Sequence, residues 1–446
     1  MLSRNAIALA LVATLAGAPS ARAVEGPPAL SFAQSVALAA RQNTDVSLAN
    51  LRVREASART GQSWAAFLPG VTAQAVATDR TFNVLALGFT ALLPPGTVFP
   101  DPVIGPVYEA ESRLKVSQTL FDVSSWQKVR ASKLGERSAT TDRSATAEAA
   151  AYRAALAYLR AARAAAVVEA REEDVRLAID LQGLAEAQLA AGTSPDLDVT
   201  RARAQVVTAR GALVVARNQL DRARLDLTRV LGLDPAIPVA LADTLDASLG
   251  ASEAPSDSGA AVSFALSHRS DLLAEGARLD RARADRAATA AERLPRVDVA
   301  ADWGGSGEHF GDSRSTYTYA LAVTVPLLDG LRRESRIREQ SDLVHESEVR
   351  SHDLRDQVSA DVEAARLDLA SGLEQESVAA DQLRLAVDEV SQARERFVSG
   401  IAGNIDVIEA QTSLLKAHDA DIDARFAVAT ARAALAHAAG VATTLH

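Results

Sequence analysis

Several residue types that stabilise ordinary secreted domains are absent or scarce in this sequence. It contains no cysteine, which excludes disulfide bonds, thiolate metal sites and a lipid anchor attached to cysteine. Aromatic residues make up only 4% of a chain in which 48% of the residues are hydrophobic, and alanine is abundant. Small side chains let helices pack closely side by side, so this composition favours thin helical walls over a thick core. The formal net charge of -10 argues against nucleic-acid binding and is typical of large solvated surfaces.

The first residues have the pattern of a secretory signal peptide. A basic residue, Arg4, precedes an apolar segment from Ala6 to Ala16, and Ala21 to Ala23 supplies an A-x-A cleavage site. The apolar segment is too short to span a membrane. We therefore expect residues 1–23 to be removed when the chain is exported.

Proline is absent from two long stretches, which allows unusually long helices. No proline occurs from Val107 to Ser194, so one helix is predicted from about Ser125 to Ala191, with a length of roughly 100 Å. A return helix is predicted from about Asp198 to Leu231. The segment 234–259 mixes Pro, Gly, Ser and Asp and is expected to form an irregular belt outside the helical wall. A second proline-free stretch follows Pro326.

The turn that joins two such helices occurs twice in the chain. Gly192 to Val199 (GTSPDLDV) and Gly400 to Val407 (GIAGNIDV) carry glycine, an aliphatic residue, aspartate and valine at one constant offset. After each turn apolar residues recur at every seventh position, as helix-to-helix packing requires, and only Asp421 interrupts the pattern. These positions are Val199, Val206, Leu213, Leu220 and Leu227, and then Val407, Leu414, Val428 and Leu435. The chain is therefore interpreted as a duplicated helical hairpin.

The two copies share one predicted order of elements. Each copy should contain a helix, two strands and a long helical hairpin, over residues 24–233 and 260–440, with a short C-terminal tail at 441–446. The opening helices are predicted from Ser31 to Phe67 and from about Val262 to a second leucine–proline pair. The irregular belt would link the two copies.

Four segments alternate between apolar residues and small or polar residues, which predicts β-strands. They are Val71–Ala77, Leu114–Phe121, a segment that begins at Val297, and Tyr317–Val325. Loops are expected between the strands of each pair, at 85–106 and 304–315. The alternation gives each strand one apolar face.

Strands of this kind suit a transmembrane β-barrel, in which one face contacts lipid and the other contacts water. Trp303, Tyr317 and Tyr319 are then predicted to lie at a membrane interface as part of an aromatic girdle. Four strands cannot close a barrel, because the smallest barrels have about eight, so insertion would require an oligomer. The alternative is a small sheet in a soluble protein.

The complete order of elements resembles that of TolC-type outer-membrane efflux proteins. The resemblance covers essentially the whole mature chain and includes the short sequences FLP, LFD, GTSPDLDV, RLP, VPLLDG and GIAGNIDV in that order. It implies a mixed α and β fold in which a homotrimer forms one twelve-stranded transmembrane β-barrel, four strands per chain, continuous with an α-barrel of long helical hairpins. It also implies a passive exit duct for efflux or type I secretion. Such a duct contacts outer-membrane lipid, extends into the periplasm, and docks to a periplasmic adaptor and an inner-membrane transporter.

Two acidic residues follow the second turn and form the main candidate site. Asp406 and Glu409 are three positions apart and therefore lie on one face of a helix. By the resemblance they match acidic positions around the periplasmic aperture, where three chains would place six carboxylates and favour cations. The alternative is the general preference for acids near a helix N-terminus, which the helix dipole explains.

The residues that close the tip of this family are replaced in this chain. In the family an arginine and a tyrosine near the second turn hold the tip closed, and the matching positions here are Ala402 and Phe397. Arg201 occupies the place in the first copy that Glu409 occupies in the second. A salt bridge at the tip is therefore expected between Arg201 and an acid of the second turn.

The small residues of both turns are candidates for contact with the adaptor. By the resemblance Thr193, Ser194, Ala402 and Gly403 would be the most exposed backbone at the periplasmic tip. Tight turns also require small residues for conformational reasons, and this is the alternative explanation.

No pattern typical of an enzyme, a cofactor site or a metal site is found in the sequence. His345 and His352 are seven positions apart beside acidic residues and are expected to lie on a solvated helical face. The glycine-rich segment 304–311 lacks the Lys-Ser or Lys-Thr pair of a phosphate-binding loop. Two hypotheses follow: a trimeric outer-membrane duct, and a soluble periplasmic coiled-coil scaffold or adaptor. The belt at 234–259 is too short to hold the additional domain that an adaptor would carry.

Overall fold

The structure, a computed structural model, describes residues 29–83, 86, 103–237, 239–245, 248–251, 255, 257–401 and 403–446. The predicted signal peptide, most of the predicted loop at 85–106 and Ala402 lie outside the described residues. The first repeat contains β1 (Ala29–Leu30), α1 (Phe32–Gln42), α2 (Thr44–Trp64), β2 (Gly70–Asn83), β3 (Val103–Phe121), α3 (Val123–Ala190) and α4 (Asp196–Val230). The second contains β4 (Ala240–Leu241), α5 (Ser258–His268), α6 (Ser270–Ala291), β5 (Arg296–Gly307), β6 (Arg314–Thr324), α7 (Arg332–Val398) and α8 (Asn404–Ala438). The predicted duplicated order is confirmed.

Two continuous helices, α3 and α7, dominate the molecule. They contain 68 and 67 residues and are therefore each about 100 Å long. In the wall α2 packs against α3, α3 against α6, and α6 against α7, while α4 and α8 return along α3 and α7 as hairpins. Within the described residues no helix has the length and hydropathy needed to cross a bilayer.

The seven-residue apolar pattern lies in the seams between these helices. Of its nine positions, eight are buried and Leu213 is half-buried. The interruption at Asp421 is buried as well, and its carboxylate pairs with Arg425, one turn later, at 2.8 Å. A carboxylate is stable in the seam because its charge is compensated by a neighbour on the same helix.

The opening helix of the first repeat is two helices, contrary to the single helix predicted from Ser31 to Phe67. The chain turns at Asn43, between α1 and α2. Its Oδ1 accepts a hydrogen bond from the Asp45 N–H at 2.8 Å, and its Nδ2 donates to the Val230 carbonyl at 2.8 Å. One side chain thus caps α2 and fixes the break against the end of α4. The apolar periodicity continues across Asn43 and therefore did not predict the break.

The second repeat breaks at the equivalent place. The helix predicted from about Val262 begins earlier, at Ser258, and is divided at Arg269 into α5 and α6. The Arg269 guanidinium pairs with Asp271 at 2.6 Å and with Asp361 of α7 at 3.1 Å. The break is therefore held by one ion pair to a neighbour in sequence and one to a residue of a distant helix.

Strands β2, β3, β5 and β6 form one antiparallel sheet in that order. All four are longer than predicted: β3 begins at Val103, inside the expected loop at 85–106, and β5 and β6 extend into the expected loop at 304–315. Trp303 lies beside Leu114 on one side and Tyr317 on the other, on the apolar face. The opposite face is polar, and there Arg113 binds Asp302 at 2.7 Å.

The glycines at 304–307 were interpreted as a loop because glycine usually marks turns, but they belong to β5. An ideal Cβ on Gly304 would lie 2.7 Å from the Arg113 Cα and would overlap the Ser112 carbonyl oxygen on β3. Glycine is therefore required here for the close approach of two strands, which is the other common reason for glycine in a sheet.

The thickest part of the core lies where α1, α4 and α8 meet the middle of α3. Alanines of α3, such as Ala151 and Ala155, are fully buried there, together with Phe32, Tyr158 and Leu227. The belt at 234–259 contributes β4, which pairs in parallel with β1. Part of the predicted irregular belt is thus ordered against the helical wall.

Tyr158 connects this core to both short strands. Its hydroxyl donates to the Leu30 carbonyl at 3.1 Å and accepts from the Asp243 N–H at 3.0 Å. Burial raises the pKa of Tyr158 to about 12. The neutral phenol is therefore favoured in the folded chain.

Replacing Tyr158 by phenylalanine should lower the free energy of unfolding by about 1–3 kcal/mol, because the Asp243 N–H loses its partner and the Leu30 carbonyl keeps only its bond from the Ala242 N–H. Since the pKa of Tyr158 in the folded chain lies above the usual tyrosine pKa of about 10, the stability due to Tyr158 is present below pH 10 and declines as the pH rises towards 12. The Tyr158→Phe variant should lack that decline. Thermal unfolding followed by circular dichroism tests this, with Tyr152→Phe as the control because the Tyr152 ring stacks on His437. Equal melting temperatures for the two variants would contradict the assignment.

Candidate functional site

The two turns predicted from the repeat have the same backbone geometry. Gly192 and Gly400 adopt φ of +72° and +70°, values at which residues other than glycine are strained. The next residue in each turn, Thr193 or Ile401, donates its N–H to the carbonyl five residues earlier at 3.0 Å. This hydrogen bond ends α3 and α7 in the same way and reverses the chain. The two turns therefore mark equivalent ends of the two long hairpins.

The two predicted acids of the second turn lack an ion-pair partner. Asp406 is half-buried and Glu409 exposed on the first turns of α8, and neither forms a salt bridge with the described part of the chain. Their equivalents in the first repeat are Asp198 and Arg201, which pair with each other at 3.7 Å. The repeats have thus diverged so that negative charge remains uncompensated at the second turn.

Arg201 does not form the salt bridge expected from the sequence. Within one protomer its partner is Asp198 on its own helix, not an acid of the second turn. Asp198 is held further by the Ser194 hydroxyl, which donates to its carboxylate at 2.8 Å. A spacing of three along a helix brings Asp198 and Arg201 together locally, and this outcompetes a more distant acid.

Two hydrogen bonds join the ends of the hairpins within one protomer, and sequence reasoning identified neither. The buried Asn404, first residue of α8, donates through Nδ2 to the Asp198 carbonyl at 2.9 Å. Gln188, near the end of α3, donates through Nε2 to the Phe397 carbonyl at 3.0 Å. We call this pair the inter-hairpin bonds. They lie at the tip, where the arginine and tyrosine of the family are replaced in this chain, and Phe397 takes part through its backbone carbonyl.

The turn residues expected at the tip differ in exposure. Thr193 and Gly403 are exposed, Ser194 is half-buried against Asp198, and Ala402 lies outside the described residues. The Thr193 hydroxyl also donates to the Gln188 carbonyl at 3.1 Å, which completes the end of α3. Thr193 and Ser194 thus have a structural role that their small size alone did not indicate.

Large apolar side chains at the tip were missed as candidates. Leu197 and Ile405 occupy equivalent positions after the two turns and are 55% and 49% exposed, and Ile401 is 73% exposed. The repeat in the sequence shows that Leu197 and Ile405 are equivalent. Apolar residues at helical spacing are usually assigned to the core, however, so neither was a candidate. Exposed apolar residues at the end of both hairpins indicate a surface for another protein.

At the other end of the molecule, the predicted aromatic residues share one face of the sheet. Trp303 lies opposite Tyr317, the Tyr317 and Tyr319 rings are 5.5 Å apart, and all three are exposed. The Trp303 Nε1 donates to the Ser315 hydroxyl at 2.9 Å. An amphipathic ring with one polar contact is typical of residues at a membrane interface.

The histidines do not form a cluster with other metal-binding side chains. His345 pairs with Glu348 at 3.3 Å and His352 with Asp356 at 3.1 Å, both on exposed helix surface. Across the residues that the structure describes, no three His, Asp or Glu side chains are grouped so that they could hold a metal ion.

Comparison with solved structures shows the same fold in outer-membrane channels. The CmeC outer membrane channel of Campylobacter jejuni has a TM-score of 0.77 at 16% identity, over 92% of this chain and 86% of that chain. The outer membrane protein VceC of Vibrio cholerae has a TM-score of 0.72 at 18% identity, over 92% of this chain and 96% of that chain. These structures share the long helices and strands described above.

Sequence comparison adds a relative and a family. Protein CyaE of Bordetella pertussis is 25% identical over 289 residues, which cover 63% of this chain and 60% of that protein. The match thus spans less than two thirds of the relative's length. The pattern of the family described as outer membrane efflux protein matches residues 36–233 and 261–441. These two blocks coincide with the two structural repeats and include most of the sequence, so the chain belongs to the outer membrane efflux protein family.

Proposed function

We propose that three copies of the chain assemble into an outer-membrane exit duct for efflux or type I secretion. The observation that carries the proposal is a four-stranded sheet with two open edges and an exposed apolar face. Tyr319, Leu321 and Val323 of β6 are 78%, 68% and 63% exposed. An apolar face of this size is stable in lipid but not in water.

Closure of the barrel requires the sheet edges to pair between copies. Among the residues that the structure describes, β2 and β6 each have a neighbour on one side only. Unpaired edges are costly in a membrane because lipid cannot satisfy backbone groups. Joining β6 of one copy to β2 of the next gives twelve strands from three copies. The same arrangement closes the helical wall into a tunnel, with the two turns of each chain at its periplasmic end.

The soluble scaffold or adaptor is the rival proposal, and the state of the purified protein distinguishes the two. A duct should fractionate with outer membranes, require detergent, and migrate in gels as a trimer that heating converts to a monomer. A monodisperse, detergent-free monomer would favour the soluble scaffold. The exposed apolar face of β6 supports the duct.

Partners should bind at the tip. The exposed turn residues Thr193 and Gly403, together with Leu197 and Ile405, offer an apolar surface rimmed by small polar groups at the end of both hairpins. A periplasmic adaptor that belongs to an inner-membrane transporter fits this surface. The transporter would supply the energy, and the duct itself would be passive.

Removing the two unpaired acids should weaken the block of the channel by multivalent cations. In the proposed trimer Asp406 and Glu409 place six carboxylates around the aperture, where charges of one sign attract counterions strongly. We expect the concentration of a trivalent cation that halves single-channel current to rise about tenfold or more in the double alanine variant. Planar-bilayer recording measures this.

The matched control for the aperture is Asp196→Ala, which removes an exposed acid from the first turn of α4. This variant should leave the block by multivalent cations nearly unchanged, whereas Asp406→Ala alone should weaken it. Equal effects of Asp196→Ala and Asp406→Ala would show a general charge effect at the tip. Unchanged block in the double variant would remove Asp406 and Glu409 from the aperture.

A further inference from the structure

Three aromatic side chains cluster where the helical wall meets the sheet. Trp64 ends α2, Phe67 follows it, and Trp126 lies on the first turns of α3. The Trp64 ring centroid is 5.4 Å from that of Trp126 and 6.1 Å from that of Phe67, and the Phe67 and Trp126 centroids are 5.0 Å apart. Trp64 and Trp126 are 37% and 50% exposed. Aromatic residues are scarce in this chain, so a cluster of three with both tryptophans exposed requires an explanation.

Basic residues continue the same face of α3. Arg130, Lys133 and Arg137 follow Trp126 at intervals of three or four residues and are all exposed, so all lie on one side of the helix. The Lys133 Nζ lies 5.3 Å from the centroid of the Trp64 ring. We call Trp64, Phe67 and Trp126, with Arg130 and Lys133, the basal patch.

The cations on this face have no acidic partner. Neither Arg130, Lys133 nor Arg137 forms a salt bridge with a carboxylate of the described residues, whereas other arginines of the wall do, as Arg278 does with Asp142. The chain as a whole has a formal net charge of -10. An uncompensated row of cations on such a protein points to an anionic ligand outside the chain.

The patch lies on the outer side of the wall. Phe121, the last residue of β3, pairs with Val297 on the apolar face of the sheet. Asp122 caps α3. The residue before such a cap commonly lies on the same side as the fourth residue of the helix, and here these residues are Phe121 and Trp126. The opposite side of α3 is concave: there Gly135 approaches Arg281 of α6. Concavity is expected of the side that faces the lumen.

A neighbouring copy would not cover the part of the patch that lies on α3. Helix α3 lies between α2 and α6 of its own protomer, whereas the wall ends at α2 and α7. Copies that join edge to edge would therefore meet at α2 and α7. The outer face of α3 would remain available to solvent or lipid.

The height of the patch matches a layer of lipid headgroups. Trp126 lies four residues below the helix cap, or about 6 Å, and the headgroup layer on each side of a bilayer is about 5–7 Å thick. Side chains of a helix tilt towards its N-terminus, which here is the membrane end. Arg130, about 12 Å below the cap, can extend to that layer, and the Lys133 ammonium lies beside the Trp64 ring at the membrane end of α2. Arg137, at about 22 Å, is too far below the cap to reach it.

We propose that the basal patch binds anionic phospholipid headgroups of the leaflet that faces the periplasm. The proposal rests on the proposed function, because it requires the strands to be in the membrane. The aromatic rings would lie between headgroups and acyl chains, and the ammonium and guanidinium groups would bind phosphate oxygens. In the second repeat Leu327 and Leu328 follow β6 and are 87% and 82% exposed. In the second repeat two leucines would therefore contact lipid at this level, where the first repeat has the aromatic cluster.

The test uses the intrinsic tryptophans of the full-length trimer in nanodiscs. The chain has three tryptophans, so Trp303→Phe leaves Trp64 and Trp126 as reporters. Phosphatidylcholine nanodiscs would contain a minor fraction of acyl-brominated lipid, either phosphatidylglycerol or phosphatidylcholine. We expect brominated phosphatidylglycerol to quench the tryptophan fluorescence at a several-fold lower mole fraction than brominated phosphatidylcholine does. The reason is that each cation should enrich anionic lipid roughly fivefold. Arg130→Gln with Lys133→Gln should abolish that difference, and Arg137→Gln should preserve it.

Each outcome supports or overturns the proposal. Equal quenching by the two brominated lipids, or a preference that survives Arg130→Gln with Lys133→Gln, would overturn the anionic site. A Trp64→Phe, Trp126→Phe variant leaves Trp303 as a separate reporter of barrel insertion. Quenching of Trp303 without lipid preference at the patch would overturn this inference and leave the proposed duct intact. Absence of Trp303 quenching would instead overturn the duct and, with it, this inference.

Discussion

Replacing both Gln188 and Asn404 by alanine is expected to raise the equilibrium constant for opening the tip of each protomer by a factor on the order of thirty, and so to raise the open probability of the channel at least that much. The two inter-hairpin bonds join the ends of the hairpins within one protomer at the tip. The Asn404 bond is buried and the Gln188 bond half-buried. Each contributes about 1 kcal/mol, and about 1.4 kcal/mol corresponds to a factor of ten. If opening separates α7 and α8 from α3 and α4, both bonds break and their loss favours the open tip.

Single-channel recording measures this change, and Ser194→Ala is the matched control. The Ser194 hydroxyl binds Asp198 at the same tip, but within one hairpin, so its removal should leave open probability near that of the unaltered channel. A double variant that stays closed would show that apolar packing of Leu181 and Phe397 against α8 holds the tip by itself. Either single variant should give roughly half the effect in free energy.

Replacing Gly304 by leucine should prevent the barrel from forming. Any side chain at this position overlaps the backbone of β3 at Ser112 and Arg113, so β3 and β5 must separate. These strands join the two repeats within the sheet. Their separation exposes backbone groups that lipid cannot satisfy, at several kcal/mol for each group. We expect loss of the heat-modifiable trimer and loss of the protein from outer-membrane fractions.

Gly311→Ala is the control for this change. Gly311 lies between β5 and β6, and an added Cβ there has no neighbour within 4 Å. This variant should assemble and conduct as the unaltered chain does. Normal assembly of Gly304→Leu would mean that the sheet rearranges around the side chain, contrary to the register described here.

The tip shows how far local pattern could define the candidate site. Gly192 and Gly400 were recognisable because a positive φ demands glycine, and the aspartate and valine that follow them repeat in register. The pairing of Asp198 with Arg201 was also accessible, since three residues on a helix bring two side chains together. Within one protomer this nearer partner pairs with Arg201, and a bond from Arg201 across the tip to the second turn stays a prediction.

Other parts of the site gave no local signal. Asn404 and Asp198 are distant in sequence, and an asparagine at the start of a helix is ordinarily interpreted as a cap. Trp64 and Trp126 belong to different helices, and neither residue indicates a site by itself. Only the packing of α2 on α3 brings them together. The breaks at Asn43 and Arg269 depend likewise on partners in α4 and α7.

The sequence alone determined the duplicated order of elements, the length of the long helices, the two turns and the apolar seams, because proline, glycine and the spacing of apolar residues act within a few positions of the chain. It also determined that four strands with one apolar face could not close by themselves. The tertiary structure decided the extent of the strands, the bonds between hairpins, the partner of Arg201 and the place of the basal patch. These depend on which distant segments lie in contact, and a local pattern carries no information on that.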